Sequence, residues 1–112
     1  MILVGSEICI RDSFLFVLYT ISSAAKEPSQ LINEIKPQFI FYLSGVDVIN
    51  TDKLGRLSLS IEGCKKRDQI IFSICKNKEI PVQCSMGGGY SKDIKIIIEA
   101  HANTYRIAQK IY

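Results

Sequence analysis

Two short stretches of this chain carry side chains that can do chemistry. The first is Asp47, which follows the apolar run Phe39-Ile40-Phe41-Tyr42-Leu43 and its closing Ser44-Gly45. A carboxylate just past a strand is a hard-oxygen metal ligand, a helix cap or an acceptor for loop N–H groups, and position alone leaves the three open. The second stretch is Gly87-Gly88-Gly89-Tyr90. Successive glycines let the backbone approach a ligand closely and adopt positive φ. The Tyr90 phenol can donate its proton to an oxyanion, or its ring can pack on the start of the next helix. The glycines match neither G-x-x-x-x-G-K-S/T nor G-x-G-x-x-G, so nucleotide binding has little behind it.

The elements that must hold these residues follow from local pattern. Residues 39–43 are a continuous aromatic and branched run of strand length, expected in the middle of a parallel sheet covered by helices. Residues 46–59 read as a long loop, and residues 60–76 as a helix capped by Ser60, with Ile61, Cys64, Ile71 and Ile74 near helical spacing. Asn77-Lys78-Glu79 is a turn and residues 80–85 are a second strand. Ser91 can cap a last helix over 92–111, with Ile94, Ile97, Ile98, Ile107 and Ile111 as its buried stripe. Upstream, Pro28 suits the first turn of a short helix over 29–35, and Lys36-Pro37 ends it. Residues 13–25 read as a helix capped by Ser13, and residues 2–10 as a strand. The order strand, helix, strand, helix predicts right-handed crossovers in a parallel sheet. Ligands in such sheets bind beyond the carboxyl ends of the strands, so Asp47 and Tyr90 should share one edge.

Composition narrows the classes. The chain has 112 residues, 47% apolar and 22% charged, with 14 Lys and Arg against 11 Asp and Glu, giving a net charge of +3. That is one α/β domain with enough apolar side chains for a core, and neither a disordered nor a low-complexity chain. The charge is too small and scattered to call for nucleic acid. The one basic cluster, Lys65-Lys66-Arg67, reads as the solvated face of a helix. The four cysteines, Cys9, Cys64, Cys75 and Cys84, form no C-x-x-C pair and sit in apolar stretches, which fits buried thiols in a reducing cytoplasm. The apolar run over 14–21 is too short for a bilayer-spanning helix, and the segment before it lacks the positive charge of a secretory signal. No membrane partner is expected.

Beyond these readings the motifs resemble the histone deacetylase superfamily. Lys36-Pro37-Gln38, the apolar strand and Ser44-Gly45-Val46-Asp47 are similar to the family's K-P-D strand and G-x-D loop. The run from Asp47 to Gly55 resembles D-x-x-x-x-D-P-L-G, with Lys53 in place of proline. Leu57-Ser58-Leu59-Ser60 followed by Gly63 and Arg67-Asp68 is similar to L-S-x-x-G-x-x-x-R-D, and Gly87-Gly88-Gly89-Tyr90 to the glycine-rich turn with the catalytic tyrosine. The flavour is that of small bacterial deacetylases related to the class IV enzymes. The resemblance implies a three-layer, partial arginase/deacetylase-like domain. It implies Asp47 as a zinc ligand, Tyr90 as the catalytic tyrosine, and Gly88, Gly89 and Leu54 as substrate-binding residues beside the acyl tunnel. The implied reaction is hydrolysis of acetyl-lysine or acetyl-polyamine amides, in which zinc polarises the carbonyl and generates the nucleophile.

The resemblance covers residues 36–112, the C-terminal portion of such a domain, and leaves 1–35 as a divergent segment within a single domain. The family's histidine pair and Asp-x-His ligands have no counterpart. His101 is the one histidine, and it reads as a helix-face residue. A catalytic zinc takes about three protein ligands, so the chain alone is expected to bind no zinc and to be inactive. The expected partners are a second copy of the chain, or a complementing N-terminal half. The competing reading is a non-catalytic oligomerising or interaction module on a degenerate deacetylase fold.

Overall fold

A computed structural model describes Leu15–Phe16 and residues 28–112. The organising element is the strand β2, Ile40–Gly45, whose Ile40, Tyr42 and Ser44 are buried on one face. On the other face Phe41 is half-buried and Leu43 is 39% exposed. β2 is central in a parallel sheet, between β1, Leu15–Phe16, and β3, Val82–Gly87. The pairing of Leu15 with Ile40 corrects the helix expected over 13–25. A short apolar run has no decisive period, and here the free edge of β2 offers it partners. The rest of that span and the strand expected over 2–10 lie outside the described residues.

Helix α1, Pro28–Ile35, starts at its proline and buries Ile32. Lys36 closes it: its N–H donates to the Ile32 carbonyl, and its φ of 50° takes the chain out of the right-handed helical region ahead of Pro37. Helix α2, Ile61–Asn77, is capped as expected, with the Ser60 hydroxyl accepting from the Gly63 N–H. Its buried stripe is Cys64, Arg67, Asp68, Ile71, Phe72 and Cys75, at helical spacing but with two charges in it. Glu79, at φ 54°, turns the chain, and Ile80 donates to the Cys75 carbonyl before β3 begins. β3 therefore starts two residues later than the sequence indicated and pairs with β2 from Ile40↔Val82 to Gly45↔Gly87.

The last helix, α3, is Ile94–Ile111, and its cap is Asp93, not Ser91. Its expected stripe is also corrected. Ile94 and Ile98 are 66% and 59% exposed, while Ala100, Asn103 and Thr104 are buried. Small Ala100 and Thr104 face inward because Thr104 hydrogen-bonds to Asp68 of α2 and holds the two helices together. Further along, Ile107, Ala108 and Ile111 pack on the core of Ile32, Ile40, Tyr42, Ile71, Phe72 and Cys75. That core draws on all three helices and on one sheet face. It makes a sheet layer and a helix layer of an α/β fold. Among the described residues no helix is long and apolar enough to cross a membrane.

Candidate functional site

The parallel register carries Gly45 and Gly87 to the same edge of the sheet, and the Val46 N–H donates to the Gly87 carbonyl as the strands end. Asp47 leaves that edge half-buried. Its carboxylate lies in a cradle of glycines. A methyl group on Gly45 would stand 2.9 Å from Asp47 Oδ1, and one on Gly88 would stand 2.8 Å from Asp47 Cβ and Cγ. Gly88 holds φ at 64°, in the left-handed region that side chains disfavour, so a β-carbon is excluded there twice over. Gly89 lies against Ile97 of α3 and Val46. The structure thus brings Asp47, Gly88 and Gly89 together.

Tyr90 follows at once and is 53% exposed; Leu54, on the facing loop, is 69% exposed. That loop is closed by the Ile49↔Leu59 bridge, with Asn50 donating to the Leu59 carbonyl and Leu59 to the Val48 carbonyl. Within it Gly55 meets Asp47 so closely that a β-carbon would fall 1.6 Å from the Asp47 carbonyl oxygen. Asp52 ties the two loops. Its Oδ1 accepts from the N–H groups of Leu54 at 2.9 Å and Gly55 at 2.8 Å, and its Oδ2 accepts from the Tyr90 N–H at 2.6 Å. Slight burial raises the Asp52 carboxyl, but the donors of Tyr90, Gly55 and Leu54 outweigh it and hold it below the ordinary carboxylate value. Thr51 and Ser91 share a hydroxyl hydrogen bond alongside.

Behind the edge sits a buried polar network. Arg67 is only 4% exposed, which corrects its reading as part of a solvated basic face. Its Nη1 donates to the Gly45 carbonyl at 2.7 Å, and its Nε and Nη2 lie 2.9 and 2.8 Å from Asp68 Oδ1. Asp68 also accepts from the Tyr42 phenol and from Thr104 Oγ1 at 2.6 Å. Burial pushes the Tyr42 phenol well above its usual value; Arg67 opposes this and Asp68 adds to it. A buried cation without such partners would be costly, which is why Arg67 can sit in the stripe.

His101 lies within α3, half-buried. Its Nε2 lies 3.4 Å from the Gly88 carbonyl, so the histidine backs the glycine turn. It does not join Asp47 in a donor set: among the described residues no three His, Cys, Asp or Glu side chains are grouped to hold a metal ion. Asp47 supplies one donor where a catalytic zinc takes about three, so these residues alone do not fit the metal.

Sequence reasoning missed the ties of Asp52, Thr51, Ser91 and Arg67. Asp52 had a legible signal: an aspartate three residues before a glycine favours an Asx-type turn. So did Arg67 and Asp68, which fall between Cys64 and Ile71 on the apolar stripe.

Comparison with known proteins gives the chain a family. Residues 18–105 match the histone deacetylase domain family, a span that begins ahead of Lys36. The chain is 35% identical over 101 residues to an uncharacterized protein of Picosynechococcus sp., covering 90% of this chain and 32% of that protein. It is 32% identical over 72 residues to histone deacetylase 2 of Arabidopsis thaliana, covering 63% of this chain and 19% of that protein. It therefore spans about a third or less of the length of these relatives. With the family match running through both loops and the helices that support them, the chain belongs to the histone deacetylase family.

Proposed function

We propose that this chain forms the Asp47–Tyr90 portion of a zinc-dependent deacetylase-like hydrolase that acts on acetyl-lysine or acetyl-polyamine amides. It corresponds to the C-terminal portion of the domain, of the bacterial class IV-like kind. The observation that carries the reading is the glycine cradle: Asp47 lies against Gly88, two residues from Tyr90, at the carboxyl edge of a parallel sheet. Asp47 presents one carboxylate donor. Tyr90 presents an exposed phenol, able to donate to the oxygen of an amide as it becomes an oxyanion. Gly88 and Gly89 let the turn close against Asp47, Val46 and Ile97, and exposed Leu54 offers an apolar wall for an acyl chain. The remaining zinc ligands and the histidine pair belong to a complementing N-terminal half, and the chain alone binds no zinc and is inactive. Its free thiols Cys64, Cys75 and Cys84 fit a reducing cytoplasm.

The test is complementation. The chain with added zinc and an acetyl-lysine substrate should show no turnover. Co-expressed with the part of the Picosynechococcus relative that it does not match, it should give zinc-dependent turnover, and Tyr90→Phe should lower this about 10²–10³-fold. Turnover by the chain alone that Tyr90→Phe abolishes would overturn its inactivity. Complemented turnover indifferent to both Asp47→Asn and Tyr90→Phe would overturn the site. A second reading, a non-catalytic oligomerising module, draws on the exposed apolar residues Leu54, Met86, Ile94 and Ile98.

A further inference from the structure

The β2–β3 ladder ends at Gly45 and Gly87, so nothing in the sheet fixes Tyr90. Between Gly87 and Tyr90 stand Gly88 and Gly89, both at positive φ, and glycine is the residue type with the widest backbone freedom. A side chain that must meet a substrate atom within a fraction of an ångström needs a tether outside such a turn. The tether begins at Asp47. Its carbonyl lies against Gly55, and the Gly55 and Leu54 N–H groups occupy Oδ1 of Asp52. With Oδ1 held, Oδ2 is aimed, and it receives the Tyr90 N–H. Thr51 and Ser91 add a second rung one residue away on each loop.

We propose that Asp52 is a positioning residue that fixes the Tyr90 backbone in place relative to Asp47, acting through the Tyr90 peptide and not on substrate. The proposal rests on the reading of Tyr90 as the phenol that meets substrate, but its test does not involve turnover. An asparagine has one acceptor oxygen where aspartate has two. In Asp52→Asn the Leu54 and Gly55 donors, two against one, retain the oxygen, and the amide group faces the Tyr90 N–H with no acceptor. Asp52→Ala removes all three acceptances.

The experiment is amide exchange and proton shift by NMR on the labelled chain. In the native chain the Tyr90 amide should be downfield and better protected than the Gly88 and Gly89 amides. Asp52→Asn should speed Tyr90 exchange about tenfold or more and move its proton upfield, leaving Leu54 and Gly55 little changed. Asp52→Ala should release all three, and Ser91→Ala should speed Tyr90 alone, by less. A purely local turn role for Asp52 would move Leu54 and Gly55 without Tyr90, and that result would overturn the proposal. If the Asp52 variants do not fold, the native chain decides: an unprotected Tyr90 amide also overturns it. Failure of complementation with a protected Tyr90 amide would defeat the deacetylase reading and leave the tether standing.

Discussion

Two glycines, Gly55 and Gly88, set how closely Asp47 is held. At Gly88 an alanine meets both a left-handed backbone and the Asp47 side chain. Gly88→Ala should therefore cost about 1–2 kcal/mol from the backbone alone, read as a lower urea midpoint, with further loss as Asp47 is displaced. At Gly55 the obstacle is the Asp47 carbonyl oxygen, 1.6 Å from the would-be β-carbon. Backbone cannot yield as a side chain tip can, so Gly55→Ala should open the loop over residues 46–59. The check is the Leu54 amide, which should lose protection; native protection in Gly55→Ala would contradict the close approach. Neither demand can be read from the glycines themselves. A glycine after Asp-Lys-Leu looks like any turn residue until Asp47 is folded back against it.

Helix α2 shows what periodicity conveys and what it leaves out. Cys64 and Ile71 are buried as expected, Ile61 and Ile74 are only half-buried, Phe72 and Cys75 complete the apolar stripe, and Ser60 caps the helix. The same spacing buries Arg67 and Asp68, against the ordinary behaviour of charged residues. They are tolerated because Asp68 is shared by Arg67, Tyr42 and Thr104, on α2, β2 and α3. Asp68→Ala should strand the Arg67 cation and cost about 3–5 kcal/mol in urea unfolding. Thr104→Val should cost about 1 kcal/mol, since Arg67 and Tyr42 keep their acceptor. Equal costs for the two would mean that Asp68 is not the hub. The link from Arg67 to the Gly45 carbonyl gives this network a place beneath Asp47.

For the molecule entire, two properties follow from what is covered. Among the described residues β3 is an edge strand without a charged side chain, and Leu43, Met86, Ile94 and Ile98 are exposed. We propose that copies of the chain associate through these surfaces, as open edges and apolar patches do. Light scattering at tens of micromolar should report a dimer or larger species, and a clean monomer would refute this. The buried thiols set an alkaline limit. Burial pushes the Cys75 thiol up to about 11, against its own backbone hydrogen bond, and raises Cys64 and Cys84 in the same direction. In the unfolded chain a thiol ionises near 9, so between there and about 11 the unfolded state loses protons that the folded state keeps. Stability should fall as pH rises through that window. At neutral pH the buried Cys64 and Cys75 should react with a disulfide reagent only as fast as the chain opens. Rapid native labelling of Cys75 would contradict its burial.

Much of the architecture was legible in local chemistry. Pro28 starts α1, an aromatic and branched run forms β2, and Ser60 caps α2, each from interactions within a few residues. The alternation of strands and helices then implied a parallel sheet with Asp47 and the glycine turn on one edge, because right-handed crossovers leave little choice. The ties that hold the site were not legible. They join Tyr90 to Asp52 across 38 positions, Thr104 to Asp68 across 36, and Arg67 to the Gly45 carbonyl across 22. The inward face of α3 and the place of His101 behind Gly88 belong with them. Such contacts depend on which elements meet and at what register, and for Arg67 and Asp68 also on the packing that excludes water from around them.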